Sequence, residues 1–189
     1  MKLLFLATED WFFRSHFLPL ARRALEEGYE VVLAARSSGA LAGVEGLEGV
    51  RVIDTPFARR SFWPWDIGRQ IAQLNIILET ERPDLVHAIA LKPITLLLLA
   101  RAAGLGRVLA LTGRGYLAIG RAPWTRFIGW RFRRMLRREL DAPRTMLLVE
   151  NWADRAWVEG GVALPDTSVA LMPGAGVNVK AFTPTPEPS

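Results

Sequence analysis

Residues 2–21 read KLLFLATEDWFFRSHFLPLA, a short apolar run that leads through two acidic residues into a helix-type segment. The same alternation recurs almost to the end of the chain. The further strand-type runs are YEVVLAA (29–35), VRVID (50–54), DLVHAIA (84–90), RVLALT (107–112), TMLLVE (145–150) and SVALMP (168–173). The helix-type segments are a stretch ending near Gly28, then 64–82, 92–104, 121–140 and 151–161. Apolar strands followed by helices predict an α/β fold, a parallel sheet of about seven strands with helices on both faces.

The composition of the 189-residue chain excludes several classes of protein. Half of the residues are apolar and 23% are charged, which is typical of a globular domain rather than a disordered one. Cysteine is absent, so disulfides and thiolate metal sites are excluded, and a reducing compartment is favoured. The first apolar run meets Glu9 and Asp10 after six residues, which is too short for a signal peptide. The run ITLLLLA (94–100) is far too short to span a membrane.

The net charge of +5 comes from one segment of the chain. Residues 121–140, RAPWTRFIGWRFRRMLRREL, hold seven arginines and one acidic residue. The remaining residues hold 17 basic and 18 acidic side chains, so they are nearly neutral. We therefore expect an acidic partner to bind at 121–140.

Ligands of open parallel sheets bind beyond the carboxyl ends of the strands, and polar clusters follow several of the predicted strands. These clusters are Glu9–His16, His87–Lys92, TGRGY (112–116), Glu150 with Asn151, and PGAGV (173–177). Pro19 is tolerated best in the first turn of a helix, which predicts that a helix begins near Ser15 and His16. His16 would then lie at the positive end of the helix dipole and stay neutral, ready to bind a ligand hydroxyl. The alternative is that Ser15 and His16 only cap the helix.

The other clusters also allow two interpretations. TGRGY fits a loop that binds phosphate through glycine N–H groups and Arg114, but its spacing alone favours a plain turn. Lys92 at a helix start opposes the dipole, which suggests an anionic ligand such as a diphosphate, although an exposed lysine there is common. His87, near the predicted ligand edge, is interpreted as a binding residue in preference to a core histidine.

Several stretches, in this order, resemble the amino-terminal half of family-4-type bacterial glycosyltransferases: WFFRSHFLPLA, DLVHAIALKP, LTGRGYL, ENWADRAWVEGG and MPGAGVNVKAFTPTPEP. The resemblance is strongest to enzymes that build capsule, O-antigen and exopolysaccharide units on a lipid carrier, and it covers essentially the whole chain. It implies a Rossmann-like acceptor-binding domain over residues 1–177, half of a two-domain GT-B fold. Residues 178–189 would be a proline-rich linker toward an absent carboxyl-terminal domain that binds the nucleotide-sugar donor. The implied transfer retains anomeric configuration and needs no metal or other cofactor in this chain.

The resemblance also implies roles for individual residues. The acceptor-binding set is Ser15, His16, His87, Lys92, Gly113, Arg114, Gly115, Tyr116, Glu150 and Asn151. Gly174, Gly176 and Val177 match an interdomain hinge. Glu150 stands where the family usually has glutamine, and it adds a charge to the predicted acceptor site. No residue is assigned as a catalytic nucleophile or base.

The arginine-rich segment is predicted to be an amphipathic helix that lies on an anionic membrane. Its arginines fall on one side of a helical wheel, with Trp130 among them. The membrane-binding set is Trp124, Arg126, Phe127, Trp130, Arg133, Arg134, Arg137 and Arg138. Nucleic acid would attract the same charges, but no nucleic-acid-binding motif is present, and we expect no nucleic-acid partner.

The expected function is therefore transfer of a sugar from a nucleotide-sugar to a lipid-linked saccharide in bacterial surface polysaccharide synthesis. The protein would be cytoplasmic and peripheral on the inner face of the cell membrane, and its donor-binding domain would act in cis or in trans. The chain alone is expected to be inactive. An alternative is a non-catalytic, membrane-anchoring subunit of a split glycosyltransferase. A dehydrogenase is disfavoured, because TEDWFFRSH stands where a dinucleotide-binding domain needs a glycine-rich loop.

Overall fold

The structure is a computed structural model that describes residues 1–42, 47–57, 63–102, 104–113, 122–160, 164, 166–174 and 176. Its strands are β1 (Lys2–Glu9), β2 (Glu30–Arg36), β3 (Val50–Asp54), β4 (Leu85–Ile89), β5 (Gly106–Leu111), β6 (Thr145–Val149) and β7 (Val169–Leu171). Its helices are α1 (Asp10–His16), α2 (Leu18–Glu26), α3 (Pro64–Glu81), α4 (Leu91–Leu99), α5 (Pro123–Leu140) and α6 (Trp152–Glu159), and a 3₁₀ turn (Asp166–Ser168) precedes β7. The prediction of a seven-stranded α/β fold is confirmed.

All seven strands are parallel and lie in the order β3-β2-β1-β4-β5-β6-β7. Successive side chains of a strand point to opposite faces, and both faces of β1 and β2 are apolar and buried. Leu4 and Leu6 join the core cluster on one face, whereas Leu3 and Phe5 join the cluster on the other. This two-sided burial explains why the strands are continuous apolar runs in the sequence.

The strand order decides which face each helix covers. Connections between parallel strands are right-handed. The step from β1 to β2 runs one way across the sheet, and the steps from β3 to β7 run the opposite way. The helices of these two sets of connections therefore lie on opposite faces of the sheet. Accordingly α1 and α2 pack in one core cluster, while α3, α4, α5 and α6 pack in the other. Within the described residues, no helix covers the α1 side of β5–β7, and Met146 there is 40% exposed.

Three boundaries differ from those predicted. The first helical stretch is two helices that meet at Phe17, because Pro19 lacks an N–H group and is placed in the first turn of α2. β1 continues to Glu9 through a register shift that begins after Leu6. α4 ends at Leu99, five residues early, and the next free backbone N–H, that of Arg101, donates to Asn75 Oδ1 at 2.8 Å.

A charged network fastens the end of α3 to the amino-terminal edge of the sheet. Glu81 accepts two hydrogen bonds from the Arg51 guanidinium and one from Lys2 Nζ at 3.3 Å. Lys2 Nζ also lies 3.1 Å from Glu30 Oε1. The pKa of Glu81 is lowered to about 2, mainly by the hydrogen bonds from Arg51. Burial of the carboxylate opposes this shift, and the hydrogen bond from Lys2 adds to it. Glu81 is therefore ionised at all ordinary pH values and holds β1, β3 and α3 together.

We predict that Glu81→Gln lowers the free energy of unfolding by about 1–2 kcal/mol at pH 7, less than for a fully buried pair because Arg51 is half exposed. The pKa of Glu81 is lower in the folded state than its ordinary 4.5. The contribution of ionised Glu81 to the free energy of unfolding is therefore complete above pH 4.5 and is lost as the pH falls toward 2. Urea unfolding at pH 7 and pH 3.5 measures both effects, with Glu79→Gln, an exposed site on the same helix, as control. An equal difference from wild type at both pH values would contradict the assignment.

Candidate functional site

The carboxyl ends of all seven strands lie at one edge of the sheet, which is called the carboxyl edge below. Between β1 and β4 the connections leave to opposite faces, since α1 packs on one side and α4 on the other. This divergence opens a crevice, and ligands of such sheets bind there. The side chains that border it come from the ends of β1 and β4.

On the β1 side, two carboxylates are tied into the protein. Glu9 is buried and accepts hydrogen bonds of 3.0 and 2.8 Å from the Arg36 guanidinium. Asp10 accepts hydrogen bonds from Ser38 N and Oγ (2.8 and 2.5 Å) and from Ala40 N (3.2 Å). Burial alone would raise the pKa of Asp10, but the hydrogen bonds from Ser38 and Ala40 outweigh burial and lower that pKa. Sequence reasoning assigned these acids no partner, and their bonds fix the loop that follows β2.

On the β4 side, the chain turns from sheet to helix within one residue. The N–H of Ala90 donates to Ala110 O on β5, and its carbonyl accepts the first bond of α4 from Ile94. Ala90 has φ 75° and ψ 166°, a region that only glycine normally adopts. Lys92 follows in the first turn of α4, where burial lowers its pKa and Asp66 on α3 opposes that shift. A partly desolvated ammonium at the positive end of a helix favours an anionic group at this point of the edge.

His87 is not at the end of β4, as predicted, but at its middle. Its ring lies 5.3 Å from that of Phe5 and 5.7 Å from that of Phe17, and only 4% of the residue is exposed. Its Nε2 atom is buried and has no hydrogen-bond partner within the part of the chain that the structure describes. Burial lowers the pKa of His87 to about 4. The predicted contact with an acceptor is therefore corrected: His87 is a neutral core residue beneath the α1–α2 junction.

Ser15 and His16 end a helix instead of beginning one, so the predicted position of His16 at a positive helix end is wrong. His16 is exposed and stacks on Phe12 with ring centroids 4.4 Å apart. Its Nδ1 atom lies 2.7 Å from Ser15 Oγ and 3.2 Å from the Phe12 carbonyl oxygen. These contacts hold the imidazole in place through Nδ1 and leave Nε2 for a ligand.

The charges of His16 and Glu150 interact, although the two residues follow strands that are three positions apart. Glu150 is half-buried. Its pKa is raised, first by this burial and second by the negative charge of Asp154, and the charge of His16 opposes the shift. An imidazole and a carboxylate that follow strand ends of the same sheet are suited to binding sugar hydroxyl groups, which both donate and accept hydrogen bonds.

Asn151 is the N-cap residue of α6, and its side-chain amide makes hydrogen bonds within that cap. Its Oδ1 atom accepts from Asp154 N at 2.8 Å, and its Nδ2 atom donates to Asp154 Oδ2 at 3.0 Å. The N-x-x-D spacing is that of a capping box with Asp in the acidic position, a signal that the sequence contained. Asn151 thus has a structural role that is sufficient to explain its position.

The glycines assigned to loops have left-handed backbone conformations where they are described. Gly113 has φ 105°, Gly174 has φ 63° and Gly176 has φ 67°, which a residue with a side chain rarely adopts. The remaining predicted loop residues, Arg114, Gly115, Tyr116 and Val177, lie outside the described residues, as does the predicted linker 178–189.

α5 divides its surface differently from the helical-wheel prediction. Its buried stripe is Thr125, Gly129, Phe132, Leu136 and Leu140. Its exposed apolar side chains are Trp124 (53%), Phe127 (60%), Ile128 (44%) and Trp130 (49%). They accompany the exposed arginines Arg126, Arg131, Arg134 and Arg138.

Two of the predicted membrane-binding arginines bind α6 instead. The Arg133 guanidinium lies 5.2 Å from the centre of the Trp157 ring. Arg137 donates to the carbonyl oxygens of Val158, at 2.9 Å, and Glu159, at the end of α6. Both side chains are only partly exposed, because α6 packs beside α5. The prediction that they face a membrane is therefore corrected.

A cavity of about 560 Å³ lies away from the carboxyl edge. Leu85, Val108, Met146 and Arg144 are among the residues that line it, at the amino-terminal edge of the sheet face that no described helix covers. We assign the candidate site by strand topology and polar side chains, because this cavity lies at the amino-terminal edge, away from the ends where ligands of such sheets bind. Among the described residues, no three His, Asp or Glu side chains come together as metal ligands, and no helix is long and apolar enough to cross a membrane.

We predict that His87 makes the protein less stable as the pH falls from about 6.5 to about 4. Its pKa is lower in the folded state than its ordinary 6.5, so its neutral form is favoured above pH 6.5 and protonation opposes folding below it. The loss at pH 4 is about 3 kcal/mol, and His87→Phe should remove it. Urea unfolding measures the loss. His16→Asn leaves His87 as the one imidazole of the chain for NMR titration, and titration of His87 above pH 6 would contradict its burial.

Comparisons with known proteins agree with the topology. Residues 2–142 match the sequence model of the family described as glycosyl transferase 4-like. Sucrose-phosphate synthase from Thermosynechococcus elongatus is 12% identical with a TM-score of 0.68, over 98% of this chain and 50% of that one. HepE from Anabaena, in complex with UDP and glucose, is 15% identical with a TM-score of 0.62, over 98% and 47%. MurG from Acinetobacter baumannii is 10% identical with a TM-score of 0.53, over 94% and 46%.

The chain spans about half the length of these three proteins, and at such identities the likeness shows the fold. A search by sequence among curated proteins finds no relative. The sequence match extends from the start of β1 to just beyond α5 and therefore includes the β1–β4 crevice. With the fold of the amino-terminal domain of a GT-B glycosyltransferase, the chain belongs to the glycosyl transferase 4-like family.

Proposed function

We propose that this domain binds the acceptor in a glycosyltransferase that moves a sugar from a nucleotide-sugar to a lipid-linked saccharide in bacterial surface polysaccharide synthesis. The observation that carries the proposal is that an exposed His16 held through Nδ1 and a half-buried Glu150 stand after the ends of β1 and β6 in a glycosyl transferase 4-like domain. An exposed imidazole anchored through Nδ1 and a half-buried carboxylate are polar groups that the fold leaves available for a ligand.

The chemistry of these groups suits a saccharide acceptor. The Glu150 carboxylate accepts hydrogen bonds from sugar hydroxyls, and His16 Nε2 donates or accepts according to its tautomer. The start of α4 offers helix N–H groups to a phosphate or diphosphate of a lipid-linked acceptor, and the buried Lys92 ammonium adds a positive charge behind them. These residues bind and position the acceptor, and none of them is assigned a covalent step.

A nucleotide-sugar would be bound by another domain, in cis or in trans. The chain spans about half the length of HepE, whose structure contains UDP and glucose. The nucleotide would then bind across the carboxyl edge from the His16–Glu150 pair. A non-catalytic subunit of a split enzyme would use the same acceptor groups, and it would differ only in how the donor domain is supplied.

Placement on a membrane would give the domain access to a lipid-linked acceptor, and α5 offers a surface for it. The exposed side of α5 carries Arg126, Arg131 and Arg134 beside Phe127 and Trp130. The Phe127 and Trp130 rings lie 5.9 Å apart, and the Arg134 guanidinium lies 5.9 Å from the Trp130 ring. Arginines and exposed aromatic rings fit the headgroup region of an anionic bilayer. We place the protein on the cytoplasmic face of the cell membrane.

We predict that His16→Ala and Glu150→Ala each lower kcat/KM for the acceptor by about 10- to 100-fold in the enzyme joined to its donor-binding domain. Each variant removes one polar contact at an accessible site, so folding and donor binding should be unchanged. Glu79→Ala, an exposed carboxylate at the far end of α3, is the matched control, and the chain alone is the blank. His87→Phe should leave the acceptor KM unchanged, because His87 is covered by Phe17. Wild-type kinetics in both His16→Ala and Glu150→Ala would refute the assignment.

We predict that replacing Arg126, Arg131 and Arg134 by glutamine weakens binding to anionic vesicles roughly 100-fold at low salt, since each arginine contributes about 1 kcal/mol near such a surface. Binding of the wild-type chain should rise with the fraction of anionic lipid and fall with salt. Vesicle co-sedimentation measures both. The charge-matched control replaces Arg23, Arg82 and Arg101, which are exposed on other elements, and should bind as wild type. Tight binding to nucleic acid without binding to vesicles would exclude the membrane role.

A further inference from the structure

The first turn of α3 exposes two indole rings that the proposed function does not use. Trp63, which precedes the helix, is 66% exposed, and Trp65 within the first turn is 80% exposed. They flank Pro64, which fixes the backbone at the helix start. Indole rings gain more from burial than most side chains, so two neighbouring exposed rings indicate a surface that is covered when the protein works.

The topology places these rings beside the exposed aromatic residues of α5. α4 packs against both α3 and α5, and the three helices lie together on one face of the sheet. Each helix follows a strand and returns across the sheet, so all three helices begin at the carboxyl edge. Neighbouring helices pack 8–10 Å apart, which puts the starts of α3 and α5 roughly 20 Å from each other. Trp63 and Trp65 therefore lie at the same edge of the sheet, and on the same face, as Trp124 and Phe127 near the start of α5, and this part of the domain is called the corner below.

The charge around this corner selects its partner. On α5 the described stretch 122–134 holds four arginines and no acidic residue, whereas Asp66 follows Trp65 in the first turn of α3. Arg126, Arg131 and Arg134 are exposed where the structure describes them. Lys92, at the start of the intervening α4, is buried. Tryptophan is enriched at the level of lipid headgroups, and arginine binds their phosphates, so this combination fits an anionic bilayer.

We propose that Trp63 and Trp65 insert into the headgroup region and form, together with the exposed residues of α5, a single membrane-contacting corner. The inference rests on the membrane placement proposed above and adds a second, separate element to it. Contact at two helix starts fixes the orientation of the domain, whereas contact through one helix would let it rotate about that helix. With the corner on the bilayer, the carboxyl edge that carries Lys92, His16 and Glu150 lies next to the headgroups. A saccharide that is still attached to its lipid then reaches the candidate site.

Co-sedimentation of the full chain with vesicles of phosphatidylcholine and phosphatidylglycerol tests the corner. We expect Trp63→Ser with Trp65→Ser to bind at least about tenfold more weakly than wild type, because two large apolar side chains no longer enter the interface. Ile76→Ser is the matched control, since Ile76 is 62% exposed on the same helix but lies away from its start. It should bind as wild type. Circular dichroism checks that all variants are folded.

A second measurement does not depend on removing the aromatic side chains. In vesicles with brominated acyl chains, tryptophans that enter the bilayer lose fluorescence by contact quenching. Trp63→Phe with Trp65→Phe keeps the apolar contact, so it should bind like wild type while losing a substantial part of the quenchable emission. Trp11→Phe, at an exposed ring on the other face of the sheet, should leave the quenched emission unchanged.

The outcomes separate the two proposals. In one outcome, wild type binds the vesicles and the α5 arginine variant does not. If the Trp63/Trp65 serine variant then binds normally, and the phenylalanine variant loses no quenchable emission, the corner is refuted. α5 alone then contacts the membrane. If wild type ignores anionic vesicles, the membrane placement and the corner both fail, and the exposed rings are covered by another protein surface. The acceptor role of His16 and Glu150 is tested independently by kinetics.

Discussion

Parallel pairing of every strand is the constraint on which the remaining architecture depends. Two parallel neighbours cannot be joined by a tight turn, so each connection has to cross a face of the sheet, and its right-handedness decides which face. In the order β3-β2-β1-β4-β5-β6-β7 this rule sends α1 and α2 to one side and α3 to α6 to the other. It also gathers every strand end and every helix start at the carboxyl edge. The crevice, the acceptor groups and the exposed tryptophans all lie there for this one reason.

Polar side chains at that edge fall into two groups. Glu9 with Arg36, Asp10 with Ser38, and Asn151 with Asp154 satisfy one another, and they hold loops and helix starts in place. His16 is held through Nδ1 and keeps Nε2 for a ligand, Glu150 is half-buried at the end of β6, and Lys92 lies in the first turn of α4, where the dipole opposes its charge. Rigid, internally bonded neighbours are what allow the second group to present fixed polar atoms to a ligand.

α5 shows how one helix can be both structural and interfacial. Thr125 and Gly129 are the buried residues of its first half, and Gly129 lies against Trp157, so that half has no large side chain in the core and leaves its aromatic residues outside. In the second half, Phe132, Leu136 and Leu140 anchor it to the sheet, while Arg133 and Arg137 hold α6. The basic charge of the segment is thus divided between an internal contact and an outer surface.

The sequence by itself determined the fold class, the strand positions and the edge that carries the polar residues, because two-sided burial makes each strand a continuous apolar run. The family motifs added expected roles for individual residues, yet spacing did not settle which side chains reach solvent. Only the tertiary structure decided that His87 lies under Phe17, since burial depends on the face that α1 covers. It alone put His16 at the end of α1, because Pro19 belongs to the first turn of a second helix that begins after Phe17. It alone turned Arg133 and Arg137 toward α6, because a helical wheel contains no neighbouring helix. Periodicity within one element predicts which face is buried, whereas contacts between elements are set by topology and packing.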